Sequence, residues 1–461
     1  MVELLDFGLK AMRSAEKLDA DQIEVFLADT KMLTMRMERG TIKSAHSLTD
    51  SGASVRVFWK KHSAMSYTTS LNQDDIVNSI KTAISAAKAG RIDPNFTSLP
   101  EPKPLPKVVG LYDTNVDSFS IEDATCMLMD AAKAAKIDEK IYSLNVFLGV
   151  GSQRVAVVNS LGVMCEDKCT SLGVSVNVVA KVGDDMSSGS ESKFSRIIKN
   201  VNPDGVGKKA AEHAIRSLNA KTISTTATLP VVLDPKAAAV IVGGALTAPL
   251  NAENIQRGRS YLCGKMGREI GYDKFTVIDD GTLPEGILSL GFDAEGVPSQ
   301  RKMLIENGVL KNYIYDSYTA GIEKRDSTGN AVRISGGMGF ADYRRPPYIS
   351  TRNLIIPEVK GSSEDFISEI REGIWLCETD DLPNIATGEF SGLMAEAYKI
   401  EKGEITYPIK QATIGINMLD FFKNIEAIGS DSRQIVAHGI DGIVRNTFIP
   451  SIMVKAARIA G

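Results

Sequence analysis

Four carboxylates crowd one stretch of this chain: Asp279 and Asp280 in VIDDG, then Asp293 and Glu295 in FDAEG. Oxygen donors gathered in this way suit a hard cation, although in loops the same pattern is usually a set of solvated turns. Asp293 and Glu295 follow a glycine-rich loop and precede an apolar run, so they would either accept hydrogen bonds from a bound peptide or stabilise their own turn. Ser327, Thr328 and Asn330, in STGN, make a polar turn whose groups either form a nest facing a cleft or close off a helix. A nucleophile is harder to find. Ser391 in GEFSG stands at the fourth position and not at the centre of G-x-S-x-G, so it is not a nucleophile elbow and reads as structural. GGMG at 336–339 lacks the strand, turn and helix context of a dinucleotide site and reads as a flexible loop.

Nitrogen and sulfur ligands are scarcer. His46, His62, His213 and His438 are scattered and none is followed by Glu, so the chain contains no H-E-x-x-H zinc motif. Cys165 and Cys169 are the only close cysteine pair, without the two-residue spacing of zinc knuckles and redox motifs, and two packed strand residues is the simpler reading. Five cysteines are too few and too irregular for a disulfide framework, as a reducing compartment predicts.

The elements that must position these groups belong to an ordinary water-soluble composition, 43% hydrophobic and 24% charged over 461 residues, enough for two or three buried cores. A net charge of -4 with no dense Lys/Arg cluster predicts no nucleic-acid partner. The opening MVELLDFGLKAMRSAEKL mixes charge into its apolar face, so neither a secretory segment nor a membrane span is expected, and the cytoplasm is the expected location.

Periodicity predicts an α+β fold: an N-terminal α/β domain with a mostly antiparallel sheet and flanking helices, then a strand-rich C-terminal domain with an antiparallel, barrel-like sheet. The boundaries read as 1–99, 107–222 and 226–461, with proline-rich PEPKPLP as a stiff connector between the first two and KTISTTATL marking the last junction. Helices are expected near 2–17, 74–89, 121–136 and 204–218, the third opened by a capping box of Ser120 and Asp123. Between them QIEVFLAD, KMLTMRME, TIKSAHS and ASVRVFW read as separate strands, as do SLNVFLGVGS, RVAVVNS, VMCED and CTSLGVSVNVVAKV. DDMSSGSESK reads as a mobile loop or lid. Gly40, Gly308 and Gly403 each close a Glu-x-Gly hairpin and would supply positive φ in a short loop with a bulge. Asp234 before Pro235 starts a further helix. Its interior Gly243 and Gly244 each cost about 1 kcal/mol relative to Ala. They imply close packing against a strand, the floor of a cleft, or both.

That helix, DPKAAAVIVGGALTAPLNAENIQRGRS, resembles the active-site helix of the TldD/PmbA metallopeptidase family, also called the modulator of DNA gyrase family. So do GRSYLCGKMG, VIDDGTLPEGILSLGFDAEGVPSQRKMLIENGVLKNYIYDSYTA, STGNAVR, NIATGEFSG and the final PSIMVKAARIAG, in order, while EVFLAD, RMERGTIKSA and GASVRVFW resemble the family's first domain. The resemblance implies H-E-x-x-x-H in the catalytic branch, where Gly243, Gly244 and Ala248 stand here, and a third zinc ligand, a cysteine, where DSRQIVAHGIDGIV offers only His438. It thus points to the PmbA/TldE-like side: no catalytic residue and no metal in this chain, and a heterodimer with a TldD-like catalytic paralogue that carries H-E-x-x-x-H and zinc. Unfolded peptide would be the substrate of that assembly, and a homodimer is a further expectation for the isolated chain. The competing readings are a self-sufficient metallopeptidase with unrecognised ligands, such as the four carboxylates, and a homodimeric peptide-binding protein without catalysis.

Overall fold

In the computed structural model, which describes residues 3–223, 226–439 and 441–461, alternating apolar and polar residues build six strands into one antiparallel sheet. They are β1 (Gln22–Glu38), β2 (Thr41–Trp59), β3 (His62–Thr68), β4 (Ile141–Asn159), β5 (Met164–Val182) and β6 (Asp185–Ser195), in the order β3-β2-β1-β4-β5-β6, curved into a half-barrel. β1 pairs with β4 from Glu24 opposite Asn159 to Glu38 opposite Asn145, so the segments on either side of the proline-rich connector share this sheet.

Period two sorts the two faces. Val25, Leu27, Met35 and Met37 of β1, with Leu148 and Val158 of β4, face four helices: α1 (Leu4–Ala15), α2 (Gln73–Ala89), α3 (Ile121–Ala134) and α4 (Pro203–Arg216). Phe26 and Ala28, with Val155 and Val157, face the other way and pack on Phe292 and Tyr343 of the C-terminal domain. The Ser120–Asp123 capping box opens α3 with both reciprocal hydrogen bonds in place.

Two expectations are corrected here, and the hairpin glycines take the positive φ expected of them. The short runs predicted as separate strands fuse into strands of 17 to 19 residues, because pairing along both edges of β1 and β4 carries the ladder through polar and glycine positions that read as turns. DDMSSGSESK is not a lid. It forms β6, paired with β5 from Val182 opposite Asp185 to Leu172 opposite Ser195, and the ladder outweighs the low strand propensity of its serines. The Glu-x-Gly hairpins turn through two residues that both have positive φ, Arg39 and Gly40, Asn307 and Gly308, Lys402 and Gly403, as a type I′ turn requires. Where a bulge occurs it lies inside the ladder, between Arg36 and Met37 or between Lys399 and Ile400.

The C-terminal domain is strand-rich, as expected, and three parallel pairs sit among its antiparallel ones. One six-stranded sheet runs from Val309–Leu310 to Arg433–His438. A nine-stranded sheet is centred on Ala227–Leu233 and Ile452–Ala460. α5 (Pro235–Thr247) packs against strands of both sheets.

Candidate functional site

α5 begins as the sequence predicts. The Asp234 carboxylate accepts the Lys236 N–H at 2.9 Å and Pro235 occupies the first turn. Almost every later side chain is buried, and only Lys236 and Val240, one turn apart, reach a cavity of about 280 Å³. Both glycines sit under close neighbours. A Cβ on Gly243 would lie 3.3 Å from Thr447 Oγ1 and 3.4 Å from Arg445 Cδ. One on Gly244 would lie 2.8 Å from Leu382 Cδ2 and 3.1 Å from Pro383 Cδ. Ala248 is buried and its carbonyl accepts Asn254 Nδ2 at 2.9 Å. The volume that longer side chains would need is therefore occupied by Leu382, Pro383, Thr447 and the stem of Arg445, whose guanidinium is paired with Asp441. Among the described residues no group of three His, Cys, Asp or Glu is placed to hold a metal ion, and the side chain of His438 lies outside them.

The cavity over α5 opens onto a larger groove of about 590 Å³ along the half-barrel, with which it shares Ser175, Ser192 and Val436. Met32, Phe147, Phe194, Met338 and Phe340 give that groove an apolar wall, and Arg36 and Asp50 add charge. Together these spaces fall in the size range of ligand-binding clefts.

Three groups of polar contacts, two of them ionic, clasp the half-barrel and its helix α4 to the C-terminal domain beside α5. Lys236 Nζ meets Glu378 at 2.8 Å and donates to Ser190 Oγ at 2.7 Å. Arg433 reaches Glu191 at 3.2 Å and Asp234 at 3.4 Å. His213 and Arg216 of α4 both meet Glu396 Oε1, at 2.9 and 2.8 Å, and Tyr398 donates to the same oxygen at 2.8 Å. Burial opposes ionisation of Glu396, but His213 first, then Arg216 and Tyr398, outweigh it and pull its pKa from 4.5 down to about 2. A carboxylate depressed in the folded state contributes stability above its unfolded pKa and loses it as the pH falls through the folded one. The clasp should therefore lose about 3 kcal/mol between pH 4.5 and about pH 2. Urea unfolding across that range should show a steeper loss for the native chain than for Glu396→Gln, and identical slopes would contradict it.

The residues offered as peptide contacts are placed elsewhere. Asp293 is buried, with Oδ1 accepting the N–H groups of Glu295 and Val297 and Oδ2 that of Ala331. Its turn role is the one realised. Glu295 is fully buried, ion-paired to Arg56 at 2.8 Å and accepting the Ser317 N–H at 2.8 Å. Burial and the neighbouring Glu295 charge push the Asp293 carboxyl up, while Arg56 and Ser317 overcome burial to hold Glu295 down. Neither presents a free oxygen to a peptide. Asn330 is likewise buried, donating to Asp279 and to the Ser350 carbonyl, both at 2.8 Å. Ser327 and Thr328 donate to the Tyr315 carbonyl, so this turn braces a neighbouring segment and forms no open nest. Asp279 also meets Lys302 at 3.1 Å, and Asp280 caps its own turn through Thr282. The four carboxylates thus divide among separate partners.

The groups that do face the cleft, Lys236, Glu191, Glu378 and Arg445, carry no local motif. Lys236 pairs with Glu378, and Glu191 with Arg433 242 positions away, so spacing could not have paired them; Arg445, four residues from Asp441, pairs locally.

Comparison with known proteins agrees with this architecture. Residues 226–461 match the PmbA/TldA metallopeptidase C-terminal domain, 114–218 the central domain and 23–87 domain 1. A metalloprotease of Methanocaldococcus jannaschii is 28% identical over 421 residues, 89% of this chain and 90% of the relative. A metalloprotease TldD homolog of Buchnera aphidicola is 26% identical over 420 residues, 88% of this chain and 84% of the relative. The crystal structure of TldE from Thermococcus kodakarensis superposes with a TM-score of 0.86 at 22% identity, covering 98% of this chain and 100% of that one, and so shares the fold. No helix among the described residues is long and apolar enough to cross a membrane. The chain belongs to the PmbA/TldD metallopeptidase family.

Proposed function

We propose that this chain is a non-catalytic, PmbA/TldE-like subunit of a cytosolic zinc metallopeptidase, acting with a TldD-like paralogue that carries H-E-x-x-x-H and supplies the metal. The observation that carries the reading is α5 itself: Gly243, Gly244 and Ala248 lie where the family resemblance puts two zinc ligands and the general base, and their surroundings are closed by Leu382, Pro383, Thr447 and Arg445. A glycine offers no side-chain donor, and a histidine or glutamate at these positions would meet packed atoms before it met a metal.

The long groove gives such a subunit a task. With a catalytic partner closed over it, a chain lying along the half-barrel would be enclosed, so only unfolded peptide could enter, and main-chain contacts to strand edges would be indifferent to side-chain identity. Co-expression with a relative bearing H-E-x-x-x-H tests the proposal. The expected result is a one-to-one complex that cleaves unfolded peptide and loses that activity to a chelator. Failure of the two chains to associate, with full activity in the relative alone, would contradict it.

A further inference from the structure

Where the half-barrel meets the C-terminal domain, two buried guanidinium groups make no direct ion pair among the described residues, although the Asp293 and Asp279 carboxylates act on Arg352 from a distance. Arg196, 2% exposed, donates from Nε and both terminal nitrogens to the carbonyls of Gly286, Thr170, Ile287 and Ser289, and no carboxylate lies within ion-pair range among the described residues. Arg352, 6% exposed, is less satisfied. Its backbone N–H is taken by Asp279, its Nε has no partner, and among the described residues nothing hydrogen-bonds to its guanidinium. Both side chains line one cavity of about 50 Å³.

A buried charge without a partner is strongly destabilising, so native structures supply a counter-charge, an ion or ordered water. Among the described residues Asp293 is the only carboxylate lining this cavity; it attracts Arg352 without hydrogen-bonding it, and both its oxygens are already engaged by three backbone N–H groups. Arg333, a third arginine of the wall, is committed to Glu24 at 3.3 Å, to Ser54 and to the Arg345 carbonyl, though its Nε is also unpartnered. One water needs about 10–15 Å³ of such space. The cavity exceeds that severalfold, enough for a tetrahedral anion. Gln153 and Ala341 line both this cavity and the 590 Å³ groove, which gives an ion a way in.

We propose that this cavity binds a small inorganic oxyanion of the phosphate and sulfate class, held by the free donors of Arg352, with the guanidinium of Arg196 contributing further positive charge to the cavity wall. Because Gln153 and Arg196 belong to the half-barrel side and Arg352 to the C-terminal domain, the bound ion ties the two together and stabilises the folded chain by mass action. The inference is independent of whether the chain has a catalytic partner.

Thermal unfolding of the full-length chain, with inorganic phosphate replacing chloride at constant ionic strength, should show a saturable rise in Tm. Arg352→Gln should weaken the apparent affinity at least tenfold and Arg352→Lys less. No saturable rise, or an equal rise in Arg352→Gln, overturns the proposal. Should that variant not fold, crystals of the unmodified chain soaked in selenate decide: an anomalous selenium peak within hydrogen-bond reach of Arg352 supports the site, and water alone there overturns it.

Discussion

Gly244→Glu should cost the folded chain about 3 kcal/mol or more, whereas Gly243→Ala should be neutral or stabilise it by up to about 1 kcal/mol. Both positions are interior to α5, where any residue other than Gly or Pro gains helix propensity, so the difference comes from what the new side chain meets. At 243 the nearest atoms stand 3.3 and 3.4 Å from an added Cβ, which a small adjustment of Thr447 and Arg445 accommodates. At 244 the Cβ alone lies 2.8 Å from Leu382, and a carboxylate beyond it would enter packed Leu382 and Pro383 with no donor to receive it. Urea unfolding of the two variants measures the contrast. Combining Gly243→His, Gly244→Glu and Ala248→His should then yield a destabilised chain without zinc-dependent cleavage, because a third ligand is also missing from DSRQIVAHGIDGIV. Zinc-dependent activity in that triple variant would refute the account of α5 as a refilled site.

Glu295→Ala should destabilise by about 3–5 kcal/mol, the range for breaking a buried ion pair by removing one partner. Glu295 joins Arg56 of β2 to the Ser317 N–H, and Arg56 also meets Glu24 of β1 at 2.5 Å, which Arg333 approaches from the other side at 3.3 Å. Two arginines and two glutamates therefore balance across the junction of the half-barrel and the C-terminal domain. Removing Glu295 leaves both guanidinium groups competing for Glu24. Arg56→Met added to Glu295→Ala should recover part of the loss, and the double-mutant cycle should give a coupling of about 1–3 kcal/mol. Strict additivity of the two substitutions would show that the network does not act as a unit.

What could be read from the sequence, and what could not, follows from how far each interaction reaches. The helices were legible because 3.6-residue periodicity and caps such as Ser120 with Asp123, or Asp234 before Pro235, are local. Strand existence was legible but strand length was not: Thr30 within β1, Asp50, Ser51 and Gly52 within β2, and Gln153 within β4 look like breaks until the partner strand supplies the ladder. β6 was missed for the same reason, since serine-rich Asp185–Ser195 owes its conformation to β5. At the site, the departure of α5 from the zinc motif could be seen from its residues and their likeness to a family, but what fills the space could not. Leu382, Arg445 and Thr447 come from distant segments. Asp293, Glu295 and Asn330 show the other side of this: residue type left a peptide contact and a turn role both open, and each is buried because backbone N–H groups or other side chains consume its hydrogen-bonding capacity.

The most direct test of the central claim is zinc content and peptidase activity of this chain purified free of any relative and supplied with excess zinc. A refilled α5 predicts well under one zinc per chain after gel filtration and no cleavage of unfolded peptide that a chelator can abolish. One tightly bound zinc per chain, with cleavage lost on chelation and restored by the metal, would contradict it.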